Sequence, residues 1–191
     1  MKLVTRKRVL ILGGVVLVLV VWGRYLIYWY PPITGTVMDR ETGEPLEGAV
    51  VATVYDIRVP GLAGSIAYRL DFKETVTDQE GRFRTPWMFA WRPWSLLAIL
   101  EKSPTLVVFK PRYESFVTYN IFEEPRQPQL TLGSGRKCLV QLRKLRTKEE
   151  AVKSLGDLPL FQIPQKECPK LYRSASKEWI RLGYDGYPEA N

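Results

Sequence analysis

The chain contains no histidine. That absence removes the usual zinc ligand, the side chain best suited to general-base work near neutral pH, and the usual partner of a Ser or Cys nucleophile. Cysteine is nearly absent too: Cys138 and Cys168 are the whole supply and form no CxxC pair. There is no phosphate loop, no GxGxxG dinucleotide fingerprint, no metal-spaced His/Cys cluster and no GxSxG elbow. The loop Gly61-Leu62-Ala63-Gly64-Ser65 is flexible but lacks the pattern of a phosphate cradle. Acidic residues are missing from residues 1–32, which carry Lys2, Arg6, Lys7, Arg8 and Arg24, five of the formal +8. The remaining residues hold 23 basic against 20 acidic side chains. A balance that close sets solubility and builds no phosphate-binding face, so nucleic acid is not an expected partner.

Little remains from which to build a catalyst. Asp56, Asp71 and Asp78 would make a glycosidase-type acid pair only if two of them stood about 5–10 Å apart across a cleft. Asp78 is better explained by its turn, Asp78-Gln79-Glu80-Gly81. A reactive thiol at either cysteine would need an unusual activator. The sequence therefore predicts a non-enzymatic protein with no cofactor and no metal. Outside the cytosol the two cysteines would be expected to form a disulfide, Cys138–Cys168. Two unpaired thiols are the competing reading.

What the chain has in quantity is an apolar start. Residues 9–21 read VLILGGVVLVLVV, followed by Trp22, Gly23, Arg24 and YLIYWY before Pro31-Pro32 ends any helix. As a helix, the 22 residues from 9 to 30 span about 33 Å, enough for a ~30 Å hydrocarbon core. Arg24 lies near the distal end, where its side chain can snorkel, and Tyr25, Tyr28, Trp29 and Tyr30 have the makeup of an aromatic belt. The preceding Lys and Arg residues put the N-terminus in the cytoplasm and export the rest. A cleaved signal peptide competes, but no Ala-x-Ala site follows the apolar core, and no cysteine is available for lipoprotein processing.

After Pro32 the pattern changes to short β-branched runs separated by turn residues. Runs at 33–39, 49–55, 66–76, 82–84, 106–110, 115–119 and 137–142 predict about seven strands in two packed antiparallel sheets. The order of signals carries more. ITGTVMDRETGEPLEGAVVATVYD, then ETVTDQEGRFRTP, then TLVVFKPRYESF resembles the carboxypeptidase regulatory-like domain, a transthyretin-like (prealbumin-like) β-sandwich. The match falls on Gly35, Val37, Thr42, Gly43, Pro45, Leu46, Gly48, Ala49, Val51, Thr77, Asp78, Gly81 and Phe83. The resemblance covers about residues 33–145 and implies an accessory, adhesive or structural module. The catalytic zinc of the metallocarboxypeptidases belongs to a different domain. The chain departs from the family in two places: Arg112 stands where the family usually has Gly, and residues 86–104 replace a brief connection.

That insertion holds Trp87, Phe89, Trp91, Arg92 and Trp94. It reads either as a cap over one open end of the sandwich or as an interface facing a membrane or a partner. Beyond Leu145 the pattern turns helical. Thr147 and Glu150 suggest a capping box, with the helix stopping at Gly156. In a second helix Leu171, Ala175, Trp179 and Leu182 share one face.

The expected organisation is a cytoplasmic stub and membrane anchor over residues 1–32, the sandwich over 33–145, and a helical extension over 146–191. The expected role is an accessory or binding module of the cell envelope, held by its helix in the inner membrane with the domain in the periplasm. It would act through protein or glycan contacts, with an envelope spacer or assembly factor as the alternative. A carboxylate- or thiol-dependent enzyme is the remaining rival.

Overall fold

The computed structural model describes residues 12–15, 17, 27–61, 64–91, 99–100, 104–119, 121, 129–132, 137–160 and 163–185. Residues 12–15 and 17 are helical. Among the described residues no helix is long and apolar enough to cross a membrane. Most of the expected anchor, with Arg24 and Tyr25, lies outside them.

The protein is mainly β. Its described strands are β1 (Ile27–Tyr30), β2 (Thr34–Asp39), β3 (Val50–Gly61), β4 (Gly64–Val76), β5 (Arg82–Arg84), β6 (Met88–Trp91), β7 (Ile99–Leu100), β8 (Thr105–Phe109), β9 (Phe116–Thr118), β10 (Leu130–Leu132) and β11 (Lys137–Leu142). One sheet runs β10-β11-β2-β5 and a second β4-β3-β8-β9, with β7 joined to β3. A third, two-stranded sheet pairs β1 with β6. About seven antiparallel strands were expected. The structure has more, and β2 and β11 run parallel, from Thr34 beside Lys137 to Asp39 beside Leu142. A parallel neighbour needs a long crossover, and here nearly the whole domain lies between the two strands.

Two hydrophobic cores share the second sheet. Along β3, Val51, Tyr55 and Ile57 join Val37, Phe83, Leu106, Val108, Phe116 and Val140 in a core between the two larger sheets. The alternate residues Val50, Ala52 and Val54 join Val107 and Phe109 in a second core against the helical extension. Residues of a strand point alternately to opposite faces, so a strand buried on both faces reads as an unbroken apolar run. The runs at 49–52 and 106–109 have that character.

The extension consists of α1 (Lys148–Gly156) and α2 (Pro169–Arg181). Thr147 caps α1 by accepting a hydrogen bond from the Glu150 N–H at 3.2 Å, as the expected capping box requires in its first half. On α2, Leu171 and Ala175 are buried, with Leu182 just beyond the helix and Trp179 packed at the margin of the same core. Tyr172 is buried as well, and its hydroxyl donates to the carbonyls of Leu160 and Ile163. That hydroxyl ties the Pro-rich connection to the helix it precedes.

The turns are built from short polar side chains. Asp78 Oδ1 accepts from the N–H groups of Glu80 and Arg82 at 3.1 and 2.8 Å, and Gly81 follows with φ 69°. This is the turn role expected of Asp78. Arg112 is the one non-glycine described with positive φ, at 68°. An L-residue in this region crowds its Cβ against the backbone at a cost of about 1–2 kcal/mol. Arg112→Gly is therefore expected to stabilise the protein by about 1 kcal/mol, after allowing for the looser unfolded chain. Equilibrium urea unfolding measures this; an unchanged or lowered midpoint would show that the guanidinium compensates the strain.

Candidate functional site

An ordinary half-buried strand alternates apolar residues facing in with polar residues facing out. The β1–β6 ribbon breaks that rule, because both of its faces are apolar and only one is covered. Ile27 lies opposite Trp91, Tyr28 opposite Ala90, Trp29 opposite Phe89 and Tyr30 opposite Met88. Tyr28, Tyr30 and Met88 point inward and belong to the core between the sheets. The Tyr30 ring lies 5.3 Å from that of Tyr55.

The other face points to solvent. Relative exposure is 58% for Trp29, 57% for Trp87, 67% for Phe89, 66% for Trp91 and 40% for Ile27. The Trp29 and Trp87 rings sit 6.2 Å apart at an interplanar angle of 32°, so they form one surface. At 150–250 Å² per aromatic side chain, the four rings and Ile27 leave on the order of 500 Å² of contiguous apolar area. Patches of that size are at the upper end for a soluble monomer and usually mark a contact surface.

This geometry corrects part of the sequence reading. The 9–30 segment cannot be helical to its end, because Ile27–Tyr30 is a strand. Tyr28 and Tyr30 are therefore core residues, and of the expected belt Trp29 alone is described as exposed. From sequence the insertion admits two readings, cap and interface. Alternation along β6 lets it do both: Met88 covers the core while Phe89 and Trp91, with Trp87 just before the strand, face outward. Arg92 and Trp94 lie outside the described residues.

The expected disulfide is not formed. Cys138 and Cys168 are both free and buried. Cys138 projects from β11 into the core between the sheets, and Cys168 lies at the start of α2 in the core on the helical side. The second sheet separates them. Burial pushes each thiol up to about 12, reinforced at Cys168 by nearby Glu74, Glu167 and Asp71, so neither supplies a thiolate near neutral pH. The carboxylates are occupied in a similar way. Asp56 pairs with Arg69 at 3.8 Å and Asp71 with Lys73 at 2.7 Å. Among the described residues no group of three or more His, Cys, Asp and Glu could hold a metal ion.

One described concavity is of another kind. A cleft of about 570 Å³ where the strands meet the helices is lined by Arg112, Lys144, Arg146, Lys148 and Arg181, with Leu145 and Leu182 among its apolar residues. Arg146 is paired with Glu41 and Arg181 with Glu178. The other three bases make no ion pair among the described residues, so the cleft favours anionic groups.

No protein-family model matches the chain, and no curated protein does. Among solved structures, a 9R-lipoxygenase from Cyanothece PCC8801 aligns at 19% identity and a TM-score of 0.26, covering 47% of this chain and 13% of that one. Similarity at that level carries no argument about fold or activity.

Proposed function

We propose that this protein is a membrane-anchored accessory module of the cell envelope. The apolar N-terminal segment serves as an uncleaved anchor, the N-terminus stays in the cytoplasm, and the β domain lies on the periplasmic side. The observation that carries this reading is the aromatic outer face of the β1–β6 ribbon, whose first strand begins at Ile27, shortly after the apolar run that ends at Val21. A contact surface of this kind gives a binding module its work, and nothing in the geometry calls for a reaction. The domain itself is read as a transthyretin-like sandwich of the carboxypeptidase regulatory-like type. The Gly35, Gly43 and Gly81 positions of that resemblance fall at a tight strand contact and at two left-handed turns, which supports it. The basic cleft suits an anionic glycan, so glycan contact stands beside protein contact as a mode of action.

The test is topological. The full chain should stay with membranes through alkaline carbonate extraction, and protease added to spheroplasts should digest the β domain without lysis. Recovery of the intact chain from the soluble cytosolic fraction would end this reading.

A further inference from the structure

We infer that the occupant of the ribbon's outer face is the bilayer itself: Ile27, Trp29, Trp87, Phe89 and Trp91 rest in the headgroup zone of the membrane that holds the anchor. This rests on the anchored reading above and names the surface that the module contacts.

The first argument is distance. The apolar run ends at Val21 and β1 begins at Ile27. The five intervening residues reach at most about 18 Å when fully extended. If the helix instead continues to Leu26, its 18 residues from Val9 rise about 27 Å, close to the thickness of a hydrocarbon core. The chain would then emerge into the ribbon with almost no slack. In either case β1 starts within about 18 Å of the end of the apolar helix. A folded domain of about 100 residues has a radius of gyration near 13 Å, so a protein partner would have little room between ribbon and bilayer.

The second argument is composition. Indole rings combine a flat apolar body with one N–H donor, and they concentrate where hydrocarbon meets headgroups. The outward positions of the ribbon hold three tryptophans, one phenylalanine and one isoleucine, with no charged side chain. In sequence, Arg24 precedes and Arg92 follows the end of the ribbon where Ile27 pairs with Trp91. Long basic side chains flanking an aromatic surface can reach headgroup phosphates while their stems stay on the apolar side.

The third argument is register. Pairing of Trp29 with Phe89 and of Ile27 with Trp91 fixes all the outward side chains on one face. The inward face is locked by Tyr28, Tyr30 and Met88 in the core. The surface is therefore preorganised and needs no rearrangement to meet a planar boundary.

The experiment uses the full chain reconstituted in vesicles of phosphatidylethanolamine and phosphatidylglycerol, with acyl chains either plain or brominated near the headgroup. Subtracting the emission of Trp29→Phe, Trp87→Phe or Trp91→Phe from that of the parent isolates each indole. Since all three side chains are exposed, phenylalanine leaves the inner face intact, and circular dichroism verifies this. The expected result is at least twofold quenching of each isolated emission by brominated lipid, with weak quenching by aqueous acrylamide. Free acrylamide quenching without lipid quenching would overturn the inference. So would protection from acrylamide in native membranes but not in pure lipid vesicles, because that pattern belongs to a protein partner. Trp22→Phe provides the control for the anchor: Trp22 quenched and the ribbon unquenched defeats the inference alone, whereas loss of both, with extraction by carbonate, defeats the anchored reading.

Discussion

Gly35→Ala is expected to destabilise the domain by about 3 kcal/mol or more, a fall in melting temperature of about 10 °C for a chain of this size. A Cβ built at Gly35 would lie 2.4 Å from the Cys138 carbonyl oxygen, 2.6 Å from Cys138 Sγ and 2.7 Å from Phe83 Cζ. Gly35 sits in β2 between β11 on one side, where its register partner is Cys138, and β5 on the other, where it is Phe83. One of the clashing atoms is backbone, so rotating side chains cannot relieve the overlap. The parallel β2–β11 pairing at the centre of the sheet would have to open. Gly43→Ala is the matched control: its φ is 73°, but nothing lies within 4 Å of the added atom. It should cost only the left-handed strain, about 1 kcal/mol. Thermal unfolding followed by circular dichroism in detergent separates the two, and equal losses would show that β2 and β11 are less tightly joined than the structure has them.

The turn and strand signals between residues 33 and 85 are legible in the sequence for a physical reason. They are local devices. Asp39 Oδ1 accepts from the N–H groups of Glu41 and Thr42 at 2.7 and 3.2 Å, Gly43 takes the left-handed position, and Thr77 accepts from the Ala49 N–H while donating to the Leu46 carbonyl. Each needs a particular residue type at a short, fixed offset, and so each leaves a mark in the sequence. Thr147 at the start of α1 belongs to the same class.

Long-range choices leave weaker marks. YLIYWY can end a membrane helix or form an edge strand, since short apolar runs do not declare their period. The following Pro31-Pro32 suits either. Alternation of Tyr28 and Tyr30 with Ile27 and Trp29 is the local clue, and it is decisive only together with the partner strand that holds Met88 opposite Tyr30. The parallel pairing of β2 with β11 leaves no local trace, because neither strand differs in composition from an antiparallel one. For Cys138 and Cys168, the number of thiols suggested a bond, yet the side of the sheet occupied by each depends on strand phase and helix docking. The second core had a better signal. The unbroken apolar runs in β3 and β8 indicate burial on both faces, and α1 and α2 are the elements that cover the second face.

Covering that face places a carboxylate at the seam, and this gives the second large effect. Glu178 is 3% exposed and absent from the apolar stripe that the sequence predicts for α2. It accepts hydrogen bonds from Arg181 Nε at 2.8 Å, from Arg181 NH2 at 2.5 Å and from the backbone N–H of Arg112 at 3.2 Å. It therefore joins the end of α2 to the strained turn between β8 and β9. The Arg181 guanidinium, aided by the Arg112 N–H, outweighs burial and holds the Glu178 carboxyl below the usual carboxylate range. Glu178→Ala removes a charge-assisted acceptor from a backbone donor and breaks the pair. Arg181 remains partly exposed, so its charge can hydrate, and the loss is expected to be about 2 kcal/mol rather than the larger cost of an orphaned buried charge. The sign of the pH dependence follows. Because the folded-state pKa is depressed, the stabilisation is fully present above the unfolded value near 4.5 and is lost as pH falls through the folded value. Asp39 behaves alike: burial raises its pKa, but bonds from the Glu41 and Thr42 N–H groups and the Tyr113 hydroxyl bring it below its ordinary 3.8. Unfolding midpoints measured from pH 7 downward should be level to about pH 5 and then decline. In Glu178→Gln the decline should be shallower, with the remaining slope due to Asp39 and other carboxylates. An undiminished acid limb in that variant would mean that Glu178 does not hold the helices to the sheet through its charge.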